Sequence, residues 1–186
     1  MASNVSAQDF ILLAYKAFDG KMDGKTLLQK RVYFLSIMVG EDLGYRAHYY
    51  GPYSEEVATG NVELKSMGFL KEEIASYGGV DSRGFERARH DYKMTELGNR
   101  VATQVANDNA DLWNKIESAK SKLASGGDLD YMALSIAAKA YYILDKQGGR
   151  ATLEKIKELL PNFNWSVEDE QLESAAEFLK KAALVR

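Results

Sequence analysis

Leu27-Leu28-Gln29-Lys30-Arg31-Val32-Tyr33-Phe34-Leu35-Ser36-Ile37-Met38-Val39 is the stretch that decides the fold class. Its apolar residues recur at spacings of three and four, and from Val32 to Val39 they cover nearly every side of a helix. Such a helix belongs at the centre of a bundle rather than on its surface. Outward toward the N-terminus, Phe10, Leu13, Ala14, Ala17 and Phe18 share one face of a first helix over Ala7 to Phe18. The run Asp19-Gly20-Lys21-Met22-Asp23-Gly24 breaks that helix, and Lys25 or Thr26 opens the buried one.

Outward in the other direction, Gly44 to Pro52 is a turn-rich, tyrosine-rich connection. Ser54 with Glu55 and Glu56 supplies the cap and first-turn acids of a third helix ending near Gly68. Leu70–Tyr77 and Phe85–Met94 alternate as two strands around the glycine-rich tip Gly78–Gly84, the one hairpin expected. Thr95 caps the helical stretch after the hairpin. Leu97, Val101, Val105, Leu112, Ile116, Ala119 and Leu123 form a stripe there on either one long helix or two, with Asn107-Asp108-Asn109 as the break. That stripe either packs within the chain or forms a homodimer seam, and the first use is the commoner one. After Ser125-Gly126-Gly127 come an amphipathic helix from Leu129 to Leu144, a short helix over Thr152 to Leu160 stopped by Pro161, and a last helix opened by a capping box of Ser166 and Asp169. The fold class is mostly α with one small β-hairpin.

Composition narrows the chemistry. Across 186 residues, 24 Lys and Arg stand against 27 Asp and Glu, a formal charge of −3, so no global basic field draws nucleic acid or anionic lipid and any such binding needs a local patch. There are no cysteines and two histidines, His48 and His90, which excludes thiol chemistry, disulfides, cysteine zinc sites and three-histidine metal centres. Asp19, Lys21, Asp23 and Gly24 suggest a calcium loop only until Lys30 falls where a bidentate glutamate is required. Gly78-Gly79 and Gly148-Gly149 lack the residues of a phosphate loop. No cofactor or metal is expected. The N-terminus has no signal-peptide pattern and no stretch has the length of a bilayer span, so a cytoplasmic location is the expectation.

Four blocks carry a resemblance: Leu28-Gln29-Lys30 leading into Val32-Tyr33-Phe34-Leu35; Tyr49-Tyr50-Gly51-Pro52-Tyr53-Ser54-Glu55-Glu56-Val57; Met67-Gly68-Phe69-Leu70; and Tyr92-Lys93-Met94-Thr95-Glu96-Leu97-Gly98. Together, over residues 7 to 106, they resemble the YwgA-like family of uncharacterised prokaryotic proteins, which is similar in turn to the Panacea domain of SocA-type antitoxins and mobile-element regulators. The resemblance implies a winged-helix-like domain over 1–106 with its wing near 70–94, a connecting helix over 107–125, and a helical region over 126–186 that carries none of these motifs. Each block also serves as plain chain-reversal and capping chemistry.

A winged helix reads a groove with its third helix and touches phosphate with its wing. Here residues 55–65 hold Glu55, Glu56 and Glu63 against Lys65 alone, the wrong sign for a recognition helix. Residues 83–93 hold Arg83, Arg87, Arg89 and Lys93 against Glu86 and Asp91, which suits phosphate. The candidate nucleic-acid contacts are therefore Arg83, Arg87, Arg89 and Lys93, joined by Lys25, Lys30 and Arg31 if the second helix starts beside the wing. Their other use is a solvated face paired with Glu86 and Asp91. Tyr49, Tyr50, Tyr53, Glu55 and Glu56 are the candidate surface for a protein partner, a toxin among the partners that the resemblance implies. The expectation is a non-enzymatic regulatory or antitoxin-like protein acting by protein binding and through duplex DNA at its wing. The alternative is a protein adaptor on the same scaffold without nucleic acid, and a hydrolase using His48 comes third, since no nucleophile accompanies that histidine at a diagnostic spacing.

Overall fold

The computed structural model describes residues 5–80 and 86–185. Helix α1 (Ala7–Ala17) opens at Ser6, whose hydroxyl accepts from the Asp9 N–H at 3.1 Å. The sequence puts one apolar face on α1, yet every residue from Phe10 to Tyr15 is at most 2% exposed. The reason is that later helices surround it. Asp19 and Gly20 both take positive φ, and the Gly20 N–H returns to the Tyr15 carbonyl at 2.7 Å. The chain leaves this turn as a strand, β1 (Lys21–Asp23), where the sequence suggests only a break.

The buried helix is α2 (Lys25–Val39), ended by Gly40 in the left-handed region. Val32 to Leu35 are all at most 3% exposed, as the sequence predicts. The tyrosine-rich connection is a second small hairpin, β2 (Arg46–His48) with β3 (Gly51–Tyr53), so the expectation of a single hairpin is corrected. Helix α3 (Glu55–Ser66) is capped by Ser54, which accepts from the Val57 N–H at 3.1 Å. It lies so near α1 that a Cβ on Gly60 would sit 2.6 Å from Ile11 Cδ1.

Strands β4 (Leu70–Val80) and β5 (Glu86–Met94) come next, and β1 joins them in an antiparallel sheet of order β1-β5-β4. Thr95 caps α4 (Glu96–Asp108), and Asn109 separates it from α5 (Ala110–Gly126), which decides between one helix and two. Apart from half-exposed Leu97, the α4–α5 stripe turns toward the chain's own core. Then come α6 (Tyr131–Lys146), α7 (Leu153–Leu159), a 3-10 turn over Leu160–Phe163 that accommodates Pro161, and α8 (Asp169–Lys181). The capping box of α8 uses Glu168 and Gln171, two residues beyond the expected Ser166.

The protein is mostly helical. Its buried apolar residues form one contiguous cluster through α1–α8 and the inner face of the three-stranded sheet, with Phe34 of α2 meeting Tyr141 of α6 and Phe178 of α8 edge-on at 6.5 and 5.9 Å. Among the described residues no helix is long and apolar enough to cross a membrane.

Candidate nucleic-acid interface

Strand alternation decides which charges of the wing meet solvent. Leu70, Met94, Tyr92 and Met22 turn inward and are buried. Their neighbours turn outward, and register sets them in rows. Lys71 pairs with Lys93 and Lys93 with Lys21, so three lysines cross the sheet side by side. One step toward the tip, Glu73 pairs with Asp91 and Asp91 with Asp23, a row of three acids. Like charges directly opposite one another oppose strand pairing, whereas the diagonal neighbours here are of opposite sign and relieve part of that cost. Along the strands opposite charges also pair, Lys21 with Asp23 at 3.0 Å and Arg89 with Asp91 at 2.7 Å.

The candidate residues separate on this frame. Lys93 is exposed in the centre of the lysine row, and Lys25 is exposed on the first turn of α2. Arg89 lies one row past the acids with its Nε and Nη2 on Asp91 Oδ2 at 2.9 and 2.7 Å, which is the intrastrand pairing that was its other use. Lys30 is not on this surface. It is 1% exposed and donates to the Pro52 carbonyl at 2.5 Å, because the side of α2 that carries it is covered by β3. Arg31 is half-buried, its guanidinium 4.4 Å over the Phe18 ring and donating to the Lys21 carbonyl at 3.4 Å, so it supports the base of β1 instead of extending the patch. Arg83 lies outside the described residues, as does the side chain of Arg87. Lys21 and Lys71 are the additions. Their signal is the alternation Lys-x-Asp at 21–23 and Lys-x-Glu at 71–73, which acquires meaning only once the register with Asp91-x-Lys93 is known.

On the inner face, Glu72 gathers a polar cluster. Lys65 from the end of α3 donates to its Oε2 at 2.5 Å, and His90 Nδ1 lies 2.7 Å from its Oε1. The Lys65 hydrogen bond, helped by those from His90 and Tyr92 and opposed by burial, holds the Glu72 carboxyl down to about 2. Burial and the same carboxylate push the Tyr92 phenol up.

The partner-surface candidates fall around the other hairpin. Tyr49 and Tyr50 stand at its tip, 62% and 43% exposed, with ring centroids 4.8 Å apart. Tyr53 is half-exposed against His48, ring centroids 5.0 Å apart, and Glu55 and Glu56 are exposed on the first turn of α3. The hairpin is fastened at both ends. Trp165 Nε1 donates to the His48 carbonyl at 2.7 Å, while Gln29 both donates to the Ser54 carbonyl and accepts from its N–H at 2.9 Å. No group of three or more metal-binding side chains assembles among the described residues.

Over 104 residues the chain is 32% identical to the uncharacterized protein YwgA of Bacillus subtilis (strain 168), in a match that covers 55% of this chain and 58% of that protein. The match supports the YwgA-like resemblance, and the chain spans little more than half the length of this curated relative. No protein-family model matches the chain, and no solved structure does.

Proposed function

We propose that this is a winged-helix-like regulatory protein, antitoxin-like in type, that acts by binding: its wing grips the backbone of duplex nucleic acid and its second hairpin engages a protein. Supporting the scaffold is the order α1-β1-α2-α3-β4-β5 with β1 paired to β5. The observation that carries the reading is the exposed row Lys21–Lys93–Lys71, three cations at strand spacing on one solvent face, of which Lys21 also reaches Asp23 at 3.0 Å, with Lys25 at the start of α2. Contact is to phosphate and not to bases, since the first turn of α3 presents Glu55 and Glu56 where a groove-reading helix needs cations or amides. The acid row confines a phosphate chain to a narrow band, so the affinity is modest and salt-dependent.

Fluorescence anisotropy with a labelled duplex tests it. Three neutralised phosphates give a slope of log affinity on log salt of about −2.7, and each Lys→Ala change at 21, 71 or 93 removes about 0.9 of it. Absence of binding by the wild type at low salt ends the nucleic-acid reading. The exposed Tyr49–Tyr50 pair beside an acidic helix start favours a second reading, a protein adaptor without nucleic acid. Recovery of a stoichiometric protein partner free of nucleic acid, lost in Tyr49→Ala/Tyr50→Ala, supports it.

A further inference from the structure

Lys30 is an ammonium group in an unusual place. Its side chain is enclosed, its Nζ donates to the Pro52 carbonyl, and among the described residues no carboxylate pairs with it. Lysine has three donors, and buried charges are ordinarily paired. Two elements close over it. From β3 come Gly51 and the Pro52 carbonyl, while the next residue, Tyr53, keeps its phenol neutral through burial and Glu55. From α6 come Lys139 and Ser135, whose buried hydroxyl has no hydrogen-bond partner among the described residues. The fit is tight: a Cβ on Gly51 would lie 3.2 Å from Lys139 Cγ and 3.4 Å from both Lys30 Cε and the Ser135 carbonyl. The charged group facing Lys30 is thus a like charge, and there is little room for an anion between the two.

We propose that Lys30 is a proton-operated latch on the β2–β3 hairpin: its neutral amine keeps Gly51–Tyr53 seated on α2 and α6, and its protonation lifts that segment. Burial first and Lys139 second bring the Lys30 pKa down from 10.5 to about 7 in the seated state. The free amine satisfies Pro52 with one N–H and needs no counter-charge. The ammonium has two further donors to hydrate and Lys139 to escape, and the nearest route to water is separation of β3 from α2. The motion stays local, because Trp165 holds the His48 carbonyl on one side and Gln29 holds Ser54 on the other. Tyr49 and Tyr50 ride on the segment between these fasteners, so their presentation tracks pH whether or not the wing binds nucleic acid.

The test is NMR on the full chain with labelled lysine, together with hydrogen exchange of the amides of residues 46–53. The Lys30 Cε resonance is expected to titrate with a midpoint near 7. Protection of the hairpin amides, corrected for intrinsic exchange, falls about tenfold per pH unit from 8.5 to 7 and levels below that, while the α1 amides stay better protected. In Lys30→Met the hairpin's protection no longer depends on pH. Lys139→Ala removes the half-exposed facing cation and moves the Lys30 midpoint upward. A Lys30 midpoint near 10, or a hairpin whose pH dependence survives Lys30→Met, overturns the latch. If Lys30→Met fails to fold, an unmoved midpoint in Lys139→Ala overturns it instead.

Discussion

Replacing Glu72 with Gln at the underside of the wing should produce a stability loss that disappears in acid. In the folded chain the carboxylate takes hydrogen bonds from Lys65, His90 and Tyr92 and titrates at about 2, against an ordinary value of 4.5. At 1.36 kcal/mol per pKa unit, that difference makes the ionised form worth about 3 kcal/mol to folding. The Glu72 side chain is 14% exposed but its main donor, Lys65, is 38% exposed, so solvent screening makes about 3 kcal/mol an upper figure. The sign is set by the depressed folded value. The stabilisation is fully present above pH 4.5, declines as pH falls from 4.5 toward 2, and is gone below. Urea unfolding of wild type and Glu72→Gln at pH 7, 4.5, 3 and 2 measures it, and taking the difference between the two proteins cancels every other carboxylate. The expected difference is about 1–3 kcal/mol at pH 7, roughly 2–12 °C in Tm for a chain of this size, shrinking to under about 0.5 kcal/mol at pH 2 where protonated Glu72 resembles glutamine. A difference that stays constant across the series refutes the argument, because it assigns the loss to shape rather than charge.

Two further substitutions probe how the hairpins are mounted. Gly98→Ala places a Cβ 2.1 Å from the Phe69 carbonyl oxygen, so α4 must back away and the Thr95 contacts to Gly68 and Phe69 at 2.8 and 2.9 Å break; a loss of about 2–4 kcal/mol in urea unfolding is expected despite alanine's better helix propensity. Ser54→Ala removes the α3 cap and leaves the buried Leu43 carbonyl, which the Ser54 hydroxyl reaches at 2.5 Å, without its donor. The expected cost is about 2–3 kcal/mol, and melting curves of Ser54→Ala and Ser54→Thr together check it, the threonine recovering part of the loss.

The helices that announce themselves in the sequence are those whose signals are local. The central part of α2 is legible because seven of the eight residues from Val32 to Val39 are apolar, and α3 and α4 because Ser54 and Thr95 stand where caps must stand. Strand β1 is not legible: three residues hold no period, and what makes Lys21–Asp23 a strand is a partner some 70 residues away. The same gap hides the lysine row, since Lys21 and Lys71 are ordinary surface charges until register sets them beside Lys93. Lys30 misleads for a different reason. Its charge argues for the surface, yet it lies between Leu27 and Phe34 at helical spacing on the covered side, and only β3 and α6 together show that the site tolerates an amine.

The bond from Trp165 to the His48 carbonyl spans 117 residues. On a ribosome elongating at about 5–20 residues per second, His48 waits roughly 6–23 s after its own synthesis before Trp165 exists to hold it, and α6 arrives only shortly earlier. Once Asp108 has been added the three-stranded sheet and α1–α4 have every residue they need, whereas the tyrosine-bearing loop is held by Gln29 at Ser54 but still lacks α6 and Trp165. Nascent chains therefore pass through a stage in which one hairpin is finished and the other is held at one end alone, and anything that binds Tyr49 and Tyr50 meets them first in that half-fastened form.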